Sequence, residues 1–96
     1  MITHIVFFKL KEPTPENVAA TRDRLMGMAG KIPEVRHLEV GVDVIRSERS
    51  YDLAILTRFD SLAALQAYQT HPLHAGEVVP YVKSVCSSIV AVDYES

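Results

Sequence analysis

The stretch VRHLEVGVDVI-RSERS-YDLAILTRF, residues 35–59, decides the fold. Its first eleven residues alternate cleanly. Leu38, Val40, Val42 and Val44 fall on one face and His37, Glu39, Gly41 and Asp43 on the other, the period of two that marks a half-buried strand. In residues 51–59, Tyr51, Leu53, Ile55, Thr57 and Phe59 share one face while Ala54 and Leu56 sit on the other, so this strand is apolar on both sides. Only the polar RSERS lies between them, which reads as a turn. Two strands joined so closely pair antiparallel, because a parallel pair needs a crossover of a dozen or more residues.

Outward toward the start, IPEVR follows a helical run, TPENVAATRDRLMGMAGKIP. Thr14 is placed to cap it, Pro15 suits its first position, and Glu16 favours the positive helix end. Val18, Leu25, Met28 and Ile32, with Thr21 or Arg22 between, keep helical spacing until Gly30 and Pro33 stop it. Before it, residues 3–10 form a strand with faces His4, Val6, Phe8, Leu10 and Ile5, Phe7, Lys9. Outward toward the end, Asp60 or Ser61 caps SLAALQAYQTH, with Leu62, Leu65 and Tyr68 as its stripe. Pro72 ends that helix, and a short one from about Leu73 to Val79 is interrupted by Pro80. SSIVAVDY is the fourth strand.

The order is β-α-β-β-α-β, the split βαβ unit of ferredoxin-like α+β folds, with an antiparallel four-stranded sheet. The doubly apolar first and third strands belong in the centre, and the second and fourth at the edges. Helices cover one sheet face only. The other would expose either Ile5, Phe7, Ala54 and Leu56 or the valine row of the second strand. A contiguous apolar face of that kind marks an interface, so a homodimer with two sheets packed face to face into a barrel is expected.

Ninety-six residues make one domain, 1–96. A chain this short buries about two-thirds of the surface its unfolded form exposes, so self-association adds needed burial. Apolar content of 48% beside 23% charged residues is that of a globular protein. A net charge of −2 with scattered basic residues argues against nucleic acid as a partner. MITHIVFFKLKEP has too few consecutive apolar residues for a signal or membrane segment, and the single Cys86 excludes an intrachain disulfide, so a cytoplasmic setting is expected.

The chemistry-bearing residues are few. His4 stands on the face of the first strand with Val6, Phe8 and Leu10. An imidazole there can act as general base, or simply be hydrogen-bonded at a strand start. YQTHPLH, residues 68–74, adds Tyr68, His71 and His74. His71 precedes a proline and reads as a junction or cap residue. Its spacing with His74 and Glu77 fans the three over roughly 120° of a helix, too widely for a metal, and no metal or cofactor is expected. No G-x-S-x-G elbow or Gly-rich phosphate loop is present. Cys86 is read as an inert core or rim thiol. Asp93 and Glu95 are read as a solvated end, with Asp93 able to orient a histidine.

HIVFFKL, IPEVRHLEVGVD, SYDLAILTRFDSLAALQAYQTHPLH and VDYE, in this order, resemble the stress-responsive dimeric α/β-barrel (Dabb) family over essentially the whole chain. The resemblance implies a ferredoxin-like protomer and a dimer with a shared barrel. Distantly, the chain is similar to olivetolic acid cyclase-like members, which close a polyketide by aldol condensation without cofactor. It implies an active-site role for His4 on the first strand, for His74 as the last residue of HPLH, and for Tyr68 on the second helix. Leu25 stands where that cyclase has a further tyrosine, a departure that puts its particular cyclisation in doubt. Two functions follow as expectations: binding of a small hydrophobic or aromatic molecule in a pocket between sheet and helices, or cofactor-independent cyclase or monooxygenase-like chemistry with His4 and His74 as acid–base pair.

Overall fold

The computed structural model describes residues 1–96. The elements run β1 (Ile2–Leu10), α1 (Pro15–Met26), β2 (His37–Val42), β3 (Leu53–Phe59), α2 (Leu62–Thr70), a π-helical segment (Pro72–Val78), α3 (Val79–Val85) and β4 (Cys86–Glu95). The sheet is fully antiparallel in the order β2-β3-β1-β4, a ferredoxin-like α+β arrangement with the two doubly apolar strands in the middle.

Registration of the strands fixes which side chains meet the helices. His4 lies opposite Thr57 on one side and Asp93 on the other, and Val6 opposite Ile55 and Ala91. Leu53, Ile55, Thr57 and Phe59 of β3 are all buried on this face, with Phe8 and Leu10 of β1. Leu38 and Val40 of β2 pair with Thr57 and Ile55 and so face the helices too, half-buried against the core. The opposite face carries Ile5, Phe7, Ala54, Leu56, Val90 and Val92, and no helix covers it. Of the two alternatives the alternation allowed, it is the first that lies bare.

Caps behave as their residue types dictate. The hydroxyls of Thr14 and Ser61 accept the amides of Asn17 and Ala64 at 3.1 Å each, satisfying donors that a helix start leaves without partners. Thr21, not Arg22, is the inward residue of α1: it is fully buried, its hydroxyl donating to the Asn17 carbonyl at 2.8 Å. Asp52, buried just before β3, ties the hairpin to the centre. Its carboxylate accepts the Leu10 amide and the Arg46 guanidinium, both at 2.7 Å.

Three expectations are corrected. The first helix ends at Met26, with Gly27 as its cap, rather than continuing to Ile32. Met28, Ala29 and Lys31 bond three residues back, in tight turns. Met28 and Ile32 still reach the core because turns of three residues return side chains to the same side as a helix does. The second strand stops at Val42, leaving Val44 and Ile45 exposed in the loop where alternation had extended it. Pro80 does not interrupt a helix; it stands in the first turn of α3, where its missing N–H costs nothing. Upstream, the Val79 amide bonds the His74 carbonyl five residues back, so helix continues through the proline by widening.

Candidate functional site

β1, α2, the π-helical segment, α3 and β4 together wall a cavity of about 220 Å³ on the helix side of the sheet. Leu25, Met28, Ile55, Val78 and Val82 supply apolar wall, and His4, Tyr68, Gln69, His74 and Lys83 the polar groups. The sequence reading had selected three of those five.

His4 is buried, and its position in β1 puts it directly across from Asp93 of β4. Its Nδ1 pairs with Asp93 Oδ1, while the Asp93 side chain keeps 41% of its surface exposed. With Nδ1 turned to the carboxylate, the second ring nitrogen is the one left for a visitor. Tyr68 is brought to the same place by the buried stripe of α2. Its ring is packed against three others: His4 with centroids 6.0 Å apart, Phe59 at 5.1 Å and His74 at 4.3 Å. The phenol hydroxyl meets only the Met28 thioether, at 4.0 Å, a poor acceptor. Burial pushes the phenol pKa up, so it stays a donor.

His74 projects from the π-helical segment, and its Nδ1–H donates to the Gln69 carbonyl at 3.1 Å, leaving Nε2 bare. Burial holds the imidazole below its ordinary pKa. The hydrogen bond to Gln69 opposes this, and the nearby His4 and His71 add to it by charge. His71 goes elsewhere, as the junction between α2 and the π-helical segment. Its backbone is extended and its Nδ1 accepts the Leu73 amide at 3.1 Å. No three His, Cys, Asp or Glu side chains gather in a way that could hold a metal ion. Cys86 is buried outside this cavity, its thiol pushed up in pKa by burial.

The set thus offers two imidazoles within reach of one phenol, one imidazole backed by a carboxylate and the other neutral near pH 7 with a free nitrogen. Such groups can take and return a proton or hold a polar substituent. Asp93 joins the set through the β1–β4 register. In the sequence it is 89 residues from His4, and only its place at the end of an alternating strand hinted at the role. Gln69 gave no signal beyond lying in the second helical run, and Lys83 gave none, standing between the expected short helix and the fourth strand.

Comparison with known proteins agrees with this architecture. The family model described as stress responsive A/B barrel domain matches residues 2–96. A stress-response A/B barrel domain-containing protein of Arabidopsis thaliana is 26% identical over 95 residues, covering 98% of this chain. The chain spans 36% of the length of that relative. A dimeric ferredoxin-like protein from Thermobifida fusca superposes with a TM-score of 0.86 at 27% identity, covering 99% of this chain and 90% of its own. A dimeric protein of ferredoxin-like fold from Bacteroides fragilis gives 0.82 at 29% identity, covering 99% and 95%.

Proposed function

The chain belongs to the stress responsive A/B barrel domain family, and from that premise we propose that residues 1–96 act as one domain in a homodimer binding a small hydrophobic or aromatic molecule between sheet and helices. The observation that carries this reading is the cavity. Eleven of its fifteen lining residues are hydrophobic, Tyr68 among them, and the other four are His4, Gln69, His74 and Lys83; the Tyr68 ring lies in contact with both His4 and His74. An apolar pocket with a few convergent polar groups is the usual form of a small-molecule site. The dimer is supported by the bare face of the sheet and by the dimeric relatives. No helix is long and apolar enough to cross a membrane, and the one buried, unpaired cysteine fits a reducing, cytoplasmic setting.

Calorimetric titration with 4-pentylphenol tests the reading. One molecule per protomer is expected to bind, and Ala91→Trp, which adds an indole from an exposed strand position on the cavity wall, is expected to abolish binding while the fold persists. Absence of saturable heat with the unaltered protein would overturn it.

The His4–Asp93 pair favours a second reading, cofactor-independent polyketide cyclase or monooxygenase-like chemistry with His4 and His74 as acid–base pair and Tyr68 holding a substrate oxygen. A carboxylate behind an imidazole fixes the ring's tautomer and orientation, which leaves the other nitrogen to meet a substrate. Leu25 in the wall counts against the cyclase, since it cannot donate a hydrogen bond. On this reading His74→Ala abolishes turnover of a polyketide or quinone substrate and leaves the dimer mass unchanged; turnover equal to the parent's rules the role out.

A further inference from the structure

Among the larger concavities of the molecule, only the cavity described above contains a cation and no carboxylate. The polar cleft beside α1 and α3 pairs Lys11 with Glu12 in its lining. The cleft on the bare face has Asp43, and the groove between α1 and the π-helical segment has Asp23 and Glu77 beside Arg24 and Lys31. In the sheet–helix cavity Lys83 stands alone, although the chain carries 12 acidic residues against 10 basic ones. Lys83 is an exposed residue of the lining and takes part in none of the ion pairs. Asp93, on the β4 strand that walls the cavity, is engaged by His4. Of the remaining polar groups, the Tyr68 hydroxyl is a donor with only a thioether to face. The bare Nε2 of His74 accepts rather than donates, so selection for an anion rests on the unpaired Lys83, and a carboxylate, which has acceptors only, suits an ammonium.

We propose that the cavity takes an anionic amphiphile, its carboxylate held by Lys83 at the mouth and its chain or ring lying among Leu25, Ile55, Val78 and Val82. The inference rests on the binding reading above and narrows it to a ligand class. Volume sets the size: at about 30 Å³ for each water-sized group, 220 Å³ admits about seven. That matches a chain of six to nine carbons or a single substituted ring. A lysine ammonium serves as a point charge on a flexible stem, so it suits a headgroup at the rim rather than a bidentate clamp within. The inner end of the ligand then lies against Tyr68 and His74, where a carbonyl or hydroxyl would find the phenol donor.

The probes are sodium octanoate, 1-octanol and octylammonium chloride, titrated calorimetrically into the full chain at pH 7. Octanoate is expected to bind about tenfold or more tighter than octanol, the scale of one charge-assisted contact, and octylammonium more weakly than either. Lys83→Met is expected to erase the preference for octanoate over octanol; Lys83→Arg is expected to retain the preference, which separates loss of charge from loss of fold. Octanol binding as tightly as octanoate, or a preference that survives Lys83→Met, overturns the anion proposal and leaves the binding reading standing. If none of the three probes binds, the anion proposal falls, and the 4-pentylphenol titration decides the binding reading separately.

Discussion

At the scale of single residues, His74 is the group whose chemistry the fold alters most legibly. Its Nδ1–H is committed to the Gln69 carbonyl, and burial disfavours the charged ring, so the folded pKa lies below the ordinary 6.5. The sign of the consequence is fixed by linkage. Between the folded value and 6.5 the unfolded chain binds more protons than the folded one, so stability falls as pH drops through that window and is fully lost from this source below both values. Urea unfolding at pH 7, 6 and 5 is therefore expected to show a decline that His74→Gln makes shallower. Equal declines in the two proteins would show that His74 is not held neutral. His4 and Tyr68 illustrate how far residue type alone reaches. Both were identifiable as candidates from the sequence. Their value depends on Asp93 and Met28, which sequence spacing could not place beside them.

At the scale of elements, the irregular pieces do as much as the regular ones. The turns after α1 carry Met28 and Ile32 into the core, and Gly30 makes them possible with φ of +74°. A Cβ built there meets nothing within 4 Å, so the backbone alone opposes a side chain. Gly30→Ala is expected to cost about 1 kcal/mol in unfolding free energy, the penalty of a left-handed non-glycine residue. Gly76 is the contrast, lying inside the π-helical segment with ordinary φ and equally open space. Gly76→Ala is expected to stabilise by about 0.5–1 kcal/mol, since glycine loses more freedom on becoming helical. Opposite signs in denaturant melts check the pair; equal signs would contradict the backbone argument. The π-helical segment itself follows from two prolines eight residues apart, neither able to donate, and from His71 as the cap between helices. Its widened turn presents His74 to the cavity.

At the scale of the molecule, one sheet face is covered by helices and the other is bare. Phe7 and Val90 are cross-strand partners on the bare face, 37% and 44% exposed, and Val92 beside them is 56% exposed. Removing these side chains from water contributes about 25 cal/mol for each Å² buried, and a chain of this length has little other surface to spare. Sedimentation at micromolar concentration is expected to give twice the 10.7 kDa of one chain. Phe7→Glu combined with Val90→Glu is expected to give the single mass, since charges on a packed face cannot be desolvated without partners. A parent protein that sediments as one chain, or a double variant that stays paired, would refute face-to-face packing of the sheets.

Period, caps and punctuation are local, and the sequence by itself determined what is local. Alternation at 35–45 and 51–59, helical spacing in two runs, Thr14 and Ser61 as caps and Pro72 as a stop yield six elements in the order that only a few topologies accommodate. Element ends were less legible, because Met28, Ile32 and Val44 keep the period of a helix or strand beyond the hydrogen bonds that define one. Tertiary structure alone decided that Asp93 stands behind His4, that Lys83 is the one cation at the cavity, and that Ile5 and Phe7 rather than the valine row lie bare. The second depends on how α3 packs over the sheet, and the first and last on which strands become neighbours and in what register. A shift of one residue would turn every such side chain to the opposite face, and no local pattern in the chain distinguishes the two.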